Sequence, residues 1–474
     1  MNKDFISELK KIIPEERIIL DKDAILDASK DYIGFRRYER DSGHNMVPLA
    51  SCVLMVNNVS EVQKVLKYLN DNKIDVVPRT GGSSVTRSIE PREGGVILDG
   101  SNMNELISID ENNMQVTCMC GMPLERLENI LNEKGYTTGH FPQSLPMADM
   151  GGLVATRSIG QFSTLYGGIE DLLVGLEAVL ADGTVIRIKN VPRRSCGPDL
   201  RHLFIGSEGT LAFITEVTVK MFKYNPDGRW MGSYIVKNTR KGLEIIQDIM
   251  QQGYKPAVVR LHDAMELKEV MHINVPGESS LLLFICDGPT DINKVTGKAV
   301  NRIALKHGAL PLGKKPVIKW FNMRNDVCND MDKPIYYEMG AVADTCEISA
   351  PWSVIADIYE EVKIRAKNEI ENLALIGGHA SHCYMNGTNI YFQFAIKVDD
   401  YKNAEPEYMH MIQIIMEETL KRGGSIAHHH GSGKYRTRWM PEEHGSSYEL
   451  MYKIKDMMDP NHILNKGVIL VDKK

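Results

Sequence analysis

The chain reads as an α+β protein of two packed parts, and three observations lead there. The first 140 residues alternate strand-like and helix-like stretches, the mark of layered structure. From residue 141 the pattern changes, and 141–168 lose both periodicities and become rich in Gly, Ser and Pro. Beyond about residue 225, helix-like segments alternate with apolar strand-like runs, which fits helices laid on an antiparallel sheet. At 474 residues the chain is too long for one ordinary core, so two or three packed units are expected.

Each element follows from its pattern. Residues 59–73 (VSEVQKVLKYLNDNK) carry apolar positions at helical spacing, and 74–79 (IDVVPR) reads as a strand. GGVILDG and residues 114–120 are further strands, and 123–135 (PLERLENILNEKG) is an amphipathic helix closed by Gly135. LEAVLADGTVIRI is a hairpin turning at Asp182-Gly183, and GSEGTLAFITEVTVKMF supplies another strand. Helices are expected over 240–252, 293–308, 353–371 and 404–422, with SLLLFICDG and NIYFQFAIKV as strands between them. The last 50 residues hold Gly423-Gly424, three consecutive histidines and a short helix that finishes in DPNHILNKG.

Composition excludes several classes. A net charge of -6 with pI near 6.2 argues against a nucleic-acid binder, which needs basic clusters facing phosphates. No apolar run reaches the roughly 18 residues of a spanning helix, so no transmembrane segment is expected. The N-terminal stretch mixes charges with apolar residues and lacks the h-region of a secretory signal. The eight cysteines are scattered, and Cys118-x-Cys120 is not a zinc-ribbon spacing. Reduced thiols in a cytoplasm are the plain reading.

Three loops carry chemistry. Pro78-Arg79-Thr80-Gly81-Gly82-Ser83-Ser84 follows a strand; glycines there let successive amides converge on an anion, and the hydroxyls add donors. A diphosphate is the natural guest, and a plain tight turn is the alternative. The loop is neither G-x-G-x-x-G nor a Walker A motif. Gly151-Gly152 and Ala155-Thr156-Arg157-Ser158 keep side chains small, as backbone packed on a flat ring requires. Gly206-Ser207-Glu208-Gly209-Thr210 has the same character.

These stretches, PRTGGSSVTRS, GHFPQSLPMADMGGLVATRSIG, LYGGIEDLLVGLEAVLADGTVI, CGPDLRHLFIGSEGTLAFITEVTVK and DPNHILNKG, resemble the FAD-linked oxidase superfamily of vanillyl-alcohol oxidase and p-cresol methylhydroxylase. Within it, TRSIGQFSTLYGGIEDL, Arg260 in VVRLHD and SIAHHHGSGKYRTRW resemble alkylglycerone-phosphate synthases most. The resemblance implies an FAD-binding PCMH-type domain over 1–224, in two α/β subdomains of about 1–105 and 106–224. A cap over 225–425 and a segment over 426–474 that returns to complete the site would follow. It implies noncovalent FAD, since Ser83 stands near the position where some members carry a flavin-linked histidine. The 79–84 loop would hold the pyrophosphate, and Ser144, Met147, Gly151, Gly152, Thr156, Arg157, Ser158, Glu208 and Ile214 would line the rest of the cofactor.

The resemblance also places Tyr391 and His430 as catalytic candidates, beside His429 and His428, and Arg260 as the arginine for an anionic group. Alone, Tyr391 reads as a core aromatic, Arg260 as an ion-pair partner of Asp263 or Glu266, and the triplet as an exposed polar turn. His379 and His382 join the substrate-binding candidates. Lys434, with Arg436 and Arg438, would form a cationic rim, or a merely solvated charge run. The i,i+3 spacing of His379 and His382 also invites a metal, but no acidic ligand is obvious, and none is expected.

The implied activity is oxidation of a CH–OH group of a small anionic phosphate or carboxylate, with hydride passing to flavin N5. The alternatives are ether-lipid synthesis through a flavin–substrate adduct, and an electron-relay subunit without its own substrate. The partners implied are that substrate and a protein or quinone electron acceptor, and a homodimer is compatible with the reading.

Overall fold

The structure is a computed structural model and describes residues 3–472. It contains two N-terminal sheets, a two-stranded pair of Tyr136–Thr137 with Phe222–Lys223, and one large C-terminal sheet. In the first, Ile18–Ile19, Cys52–Met55, Val96–Asp99 and Val76–Arg79 lie side by side in that order, the last three parallel. Parallel neighbours need a crossover, and the helix Val59–Asp71 provides part of it. It starts where Asn58 accepts a hydrogen bond from the Glu61 amide and buries Val62, Val65, Leu66 and Leu69 at helical spacing.

The second sheet is antiparallel, in the order Leu106–Asp110, Gln115–Met119, Phe213–Lys220, Leu173–Val179 and Val185–Ile188. The expected hairpin forms its last pair. The irregular stretch after residue 140 contains a helix that its glycines concealed, Met150–Ala155. Gly151 is required there because a Cβ would stand 2.6 Å from Cys120 Cβ.

The C-terminal sheet has seven antiparallel strands: Leu310–Pro311, Trp230–Val236, Ser280–Cys286, Val258–His262, Leu373–Ala380, Gly387–Lys397 and Ala341–Pro351. The helices Thr239–Gln251, Thr290–Lys306, Trp352–Glu369 and Ala404–Lys421 pack on one face. Period-2 alternation sorts the strands. Val259, Leu261, Phe392 and Phe394 enter the helix-side core, whereas Arg260, His262, Tyr391 and Gln393 face the opposite way, into a cavity. The polar side of this sheet is therefore the wall of a site.

The last segment runs back to the N-terminal part. Leu464 bridges Val76 in parallel, and Asn465 donates to the carbonyls of Ser88 and Glu208 at 3.0 and 2.6 Å. Among the described residues, no helix is long and apolar enough to cross a membrane.

Candidate active site

Between the N-terminal sheets and the cap lies a cavity of about 930 Å³, at the upper end of the range for small-molecule and cofactor sites. One wall is the 79–84 loop with residues 142–161 and 208–214; the other is the polar face of the cap sheet.

The loop wall suits a dinucleotide. Among the described residues, the amides of Gly81, Gly82, Ser83 and Ser84 have no acceptor in the protein, yet all four residues line the cavity. Four successive unpaired donors on a half-buried loop form an anion cradle. Gly82 adopts φ +71°, which turns this chain segment without the penalty a side chain would meet. Asp31 braces the loop, accepting from Ser84 Oγ at 2.7 Å and from the Arg87 amide at 2.8 Å. Next to the cradle, the Gly152 backbone is bare; a Cβ there would meet only Thr80 Oγ1, at 3.2 Å. The residues present fit FAD.

On the cap wall the chemistry forms one transverse row. His262 pairs with His379, His379 with Tyr391, and Tyr391 with Glu347, on four neighbouring strands. Directly paired residues share a face, so four polar side chains stand in line. The Tyr391 ring stacks on His379 with centroids 4.7 Å apart.

At one end, Glu347 is fully buried and Oε1 accepts the amides of His428, His429 and His430 at 3.1, 2.9 and 2.7 Å. Oε2 pairs with Arg436, itself 0% exposed. Burial alone would raise the Glu347 carboxyl, but Arg436 and His430 hold it well below the carboxylate range. Thr345 Oγ1 donates to Tyr391 Oη at 3.0 Å, so the phenol proton is directed at His430 Nε2, 3.2 Å away. His430 Nδ1 then carries its proton toward Glu347 Oε2 at 3.4 Å. Burial lowers the His430 pKa against the pull of Glu347 and raises that of Tyr391. At neutral pH the imidazole is a free base and the phenol keeps its proton. Carboxylate, imidazole and phenol form a relay that ends in the cavity.

At the other end, Arg260 Nε donates to His262 Nε2 at 3.1 Å, which fixes the proton of that ring on Nδ1. His262 Nδ1 and His379 Nδ1 both donate to Glu266, each at 2.6 Å. Burial would raise Glu266, but the His379 and His262 rings hold it low; burial also pushes His379 down to about 4. Arg260 is buried over the Trp320 ring, 5.0 Å from its centroid. Among the described residues its terminal nitrogens have no hydrogen-bond or ion-pair partner. The ion pair with Asp263 or Glu266 does not form, because Tyr359 and the Gly378 amide occupy Asp263 and the two imidazoles occupy Glu266.

The cavity wall also gathers Ser144, Met147, Gly151, Thr156, Ser158, Ile214, His382 and His429 from the expected set. Pro78, Arg79 and Thr80 lie there too, Arg79 paired with Asp99. Glu208 lines the cavity, but its carboxylate accepts the Ser432 and Gly433 amides at 2.8 and 2.9 Å, so it clamps the returning segment. Three expectations are corrected. Arg157 turns outward, pairing with Glu170 at 3.2 Å. His428 stands behind the wall, with Nε2 2.7 Å from Tyr384 Oη. The cationic rim does not exist: Lys434 donates to the Glu90 carbonyl, Arg436 is consumed by Glu347, and Arg438 stacks on Trp439.

Sequence reasoning missed Glu347, Glu266, His262 and Thr345. A glutamate within the apolar strand-like run VADTCEISA was the available signal for the first, and Arg260-x-His262-x-x-x-Glu266 for the next two.

A cavity with an anion cradle on one wall and a proton-carrying row on the other marks a two-part enzyme built around a dinucleotide. Residues 50–189 match the family described as FAD binding domain, and residues 231–469 the family of FAD linked oxidases, C-terminal domain. The FAD-linked oxidoreductase YgcU of Escherichia coli K12 is 44% identical over 474 residues, covering 98% of this chain and 97% of that one. Alkyldihydroxyacetonephosphate synthase of Caenorhabditis elegans is 26% identical, over 88% of this chain and 75% of its own. Among solved structures, an alkyldihydroxyacetonephosphate synthase shares the fold with a TM-score of 0.81 at 22% identity, over 98% of this chain and 85% of that one. For p-cresol methylhydroxylase with substrate bound, the TM-score is 0.76 at 16% identity, over 99% and 96%. The chain belongs to the FAD-linked oxidoreductases; it is an enzyme, and FAD is its cofactor.

Proposed function

We propose that this enzyme oxidises a CH–OH group of a small substrate that carries a phosphate or carboxylate. The observation that carries the reading is a buried guanidinium with free terminal nitrogens on the same wall as the Tyr391–His430–Glu347 relay. Arg260 would grip the anionic group through its fork. That grip sets the hydroxyl of the substrate against Tyr391 Oη. The phenol takes the hydroxyl proton as it passes its own to His430 Nε2, and the imidazolium is stabilised by Glu347. Bound FAD supplies the acceptor for the hydride that leaves the carbinol carbon. Positioning by the row accounts for much of the rate. Attachment of FAD is noncovalent in this reading, since the 79–84 loop offers amides and hydroxyls and no histidine; colour left in an acid-precipitated pellet would contradict it.

The test is anaerobic mixing of purified holoenzyme with hydroxy acids and polyol phosphates. Bleaching of the flavin by at least one anionic CH–OH compound is expected; a flavin that no member of the panel reduces removes the reading.

One observation favours a second reading. Met265, Val270, Met271, Met323, Val327, Met331, Ile335 and Met339 also line the cavity, an apolar wall on which an alkyl chain could lie. With the similarity to alkyldihydroxyacetonephosphate synthase, this supports exchange of an acyloxy for an alkoxy group, the fatty acid leaving as its carboxylate, without net oxidation. Incorporation of labelled hexadecanol into an ether product distinguishes the two.

A further inference from the structure

Outside the relay, His382, His428 and His429 bring one ring nitrogen each to within 4.8 Å of one another. We propose that these three imidazoles bind a divalent transition-metal ion, zinc by preference, with a remaining position open to the cavity.

The other nitrogens of two of the rings are already engaged. Ser163 Oγ lies 2.7 Å from His382 Nδ1, which leaves Nε2 as the free donor. Tyr384 Oη lies 2.7 Å from His428 Nε2, which leaves Nδ1. Outer partners of this kind fix tautomer and ring direction in metal-ligating histidines. His428 Nδ1 in turn stands 2.9 Å from His429 Nδ1, so two lone-pair positions converge on one proton or one cation. Around a tetrahedral ion with metal–nitrogen bonds of about 2.0–2.1 Å, ligand nitrogens stand about 3.4 Å apart. The Nδ1 pair therefore opens by about half an ångström, and the His382 nitrogen closes by at most about 1.4 Å from the 4.8 Å limit. Small side-chain rotations supply both. His382 and His429 line the cavity, so an ion held here would face it.

The second cluster of this kind, His262–Glu266–His379, is a poorer host. Each oxygen of its carboxylate already accepts from an imidazole Nδ1, so both rings turn a protonated nitrogen to it, and the Arg260 guanidinium is bonded to His262 Nε2, setting a cation where a metal would approach. The two histidines that the sequence spacing paired, His379 and His382, thus serve different clusters. Three imidazoles without a carboxylate suit zinc, cobalt or copper and not magnesium or calcium. Glu347, which accepts the amides of residues 428–430, fixes the loop that carries two of the three rings.

The proposal stands apart from the choice of substrate. Its test is chelator-treated holoenzyme titrated with Co²⁺, read in the absorption bands to the red of the flavin, and with Zn²⁺ in competition with a chromophoric chelator. One ion per chain is expected. His382→Ala and His428→Ala should each weaken binding at least about 100-fold, Ser163→Ala by about 10- to 100-fold, and His379→Ala should leave affinity unchanged. Variants are compared only at full FAD content. Electron-spin-echo spectra of the Cu²⁺-loaded wild type count the coupled imidazoles without any variant, three being expected. No saturable uptake by the wild type, fewer than three coupled imidazoles, unaltered affinity in the His382 and His428 variants, or loss of affinity in the His379 variant would each overturn it.

Discussion

The two ends of the polar row on the cap sheet use a buried carboxylate in opposite ways. Glu347 is neutralised inside the protein by Arg436, and its remaining capacity goes to three backbone amides that shape the histidine loop. Glu266 meets only imidazoles, one of which separates it from Arg260. Charge is closed off at the first end and left available at the second. In the proposed function the proton moves where carboxylate and guanidinium are in contact, and the anionic group binds where an imidazole holds them apart.

Four experiments sharpen or break that contrast. The largest effect belongs to the relay: Tyr391→Phe and His430→Ala should each lower kcat by about 10²- to 10⁴-fold with FAD content intact, measured by single-turnover flavin reduction. An undiminished rate in the phenylalanine variant would take the proton role from this end. Next is stability. Glu347→Ala strands Arg436 and should cost about 3–5 kcal/mol, whereas Glu266→Ala leaves only neutral rings and should cost about 1–3 kcal/mol, both by denaturant unfolding of holoenzyme. Equal losses would erase the distinction. Third, Arg260→Ala should raise KM for an anionic substrate by about 10- to 150-fold, the equivalent of a charged hydrogen bond worth about 1.5–3 kcal/mol, with a smaller change in kcat.

The smallest effect is on pH dependence. Burial sets the His430 pKa below its usual 6.5, so the base form dominates at neutrality; oxidation should be flat above pH 7 and fall as acid protonates the ring. The charge of Glu347 raises that pKa. Glu347→Gln should therefore shift the falling limb to lower pH, and a shift upward would show that another group controls the limb.

Much of this was readable from sequence because local chemistry wrote it there. The 79–84 loop announced a cradle through its glycines and hydroxyls, and the long helices through their periodicity. Tyr391, His430 and Arg260 were visible only through family spacing, since an aromatic or an arginine in an apolar strand has ordinary structural explanations. Glu266 read only as an ion-pair partner of Arg260; it stands in the first turn of a helix, where its amide donates to Asp263 at 2.9 Å. Its second role depends on His379, 113 residues away, and strand order is not written in any local pattern. Lys434 and Arg157 failed for a related reason. Composition shows a cation near a site, but the local backbone decides which way it points, and Arg157 sits at φ +53°.

The returning segment has a consequence for the birth of the enzyme. Leu464 extends the pairing of a strand made near residue 76, and Glu208 grips amides at 432 and 433 that are translated far later. The cofactor half is therefore complete only once residues 464–465 have been made and have docked beside Val76, Ser88 and Glu208.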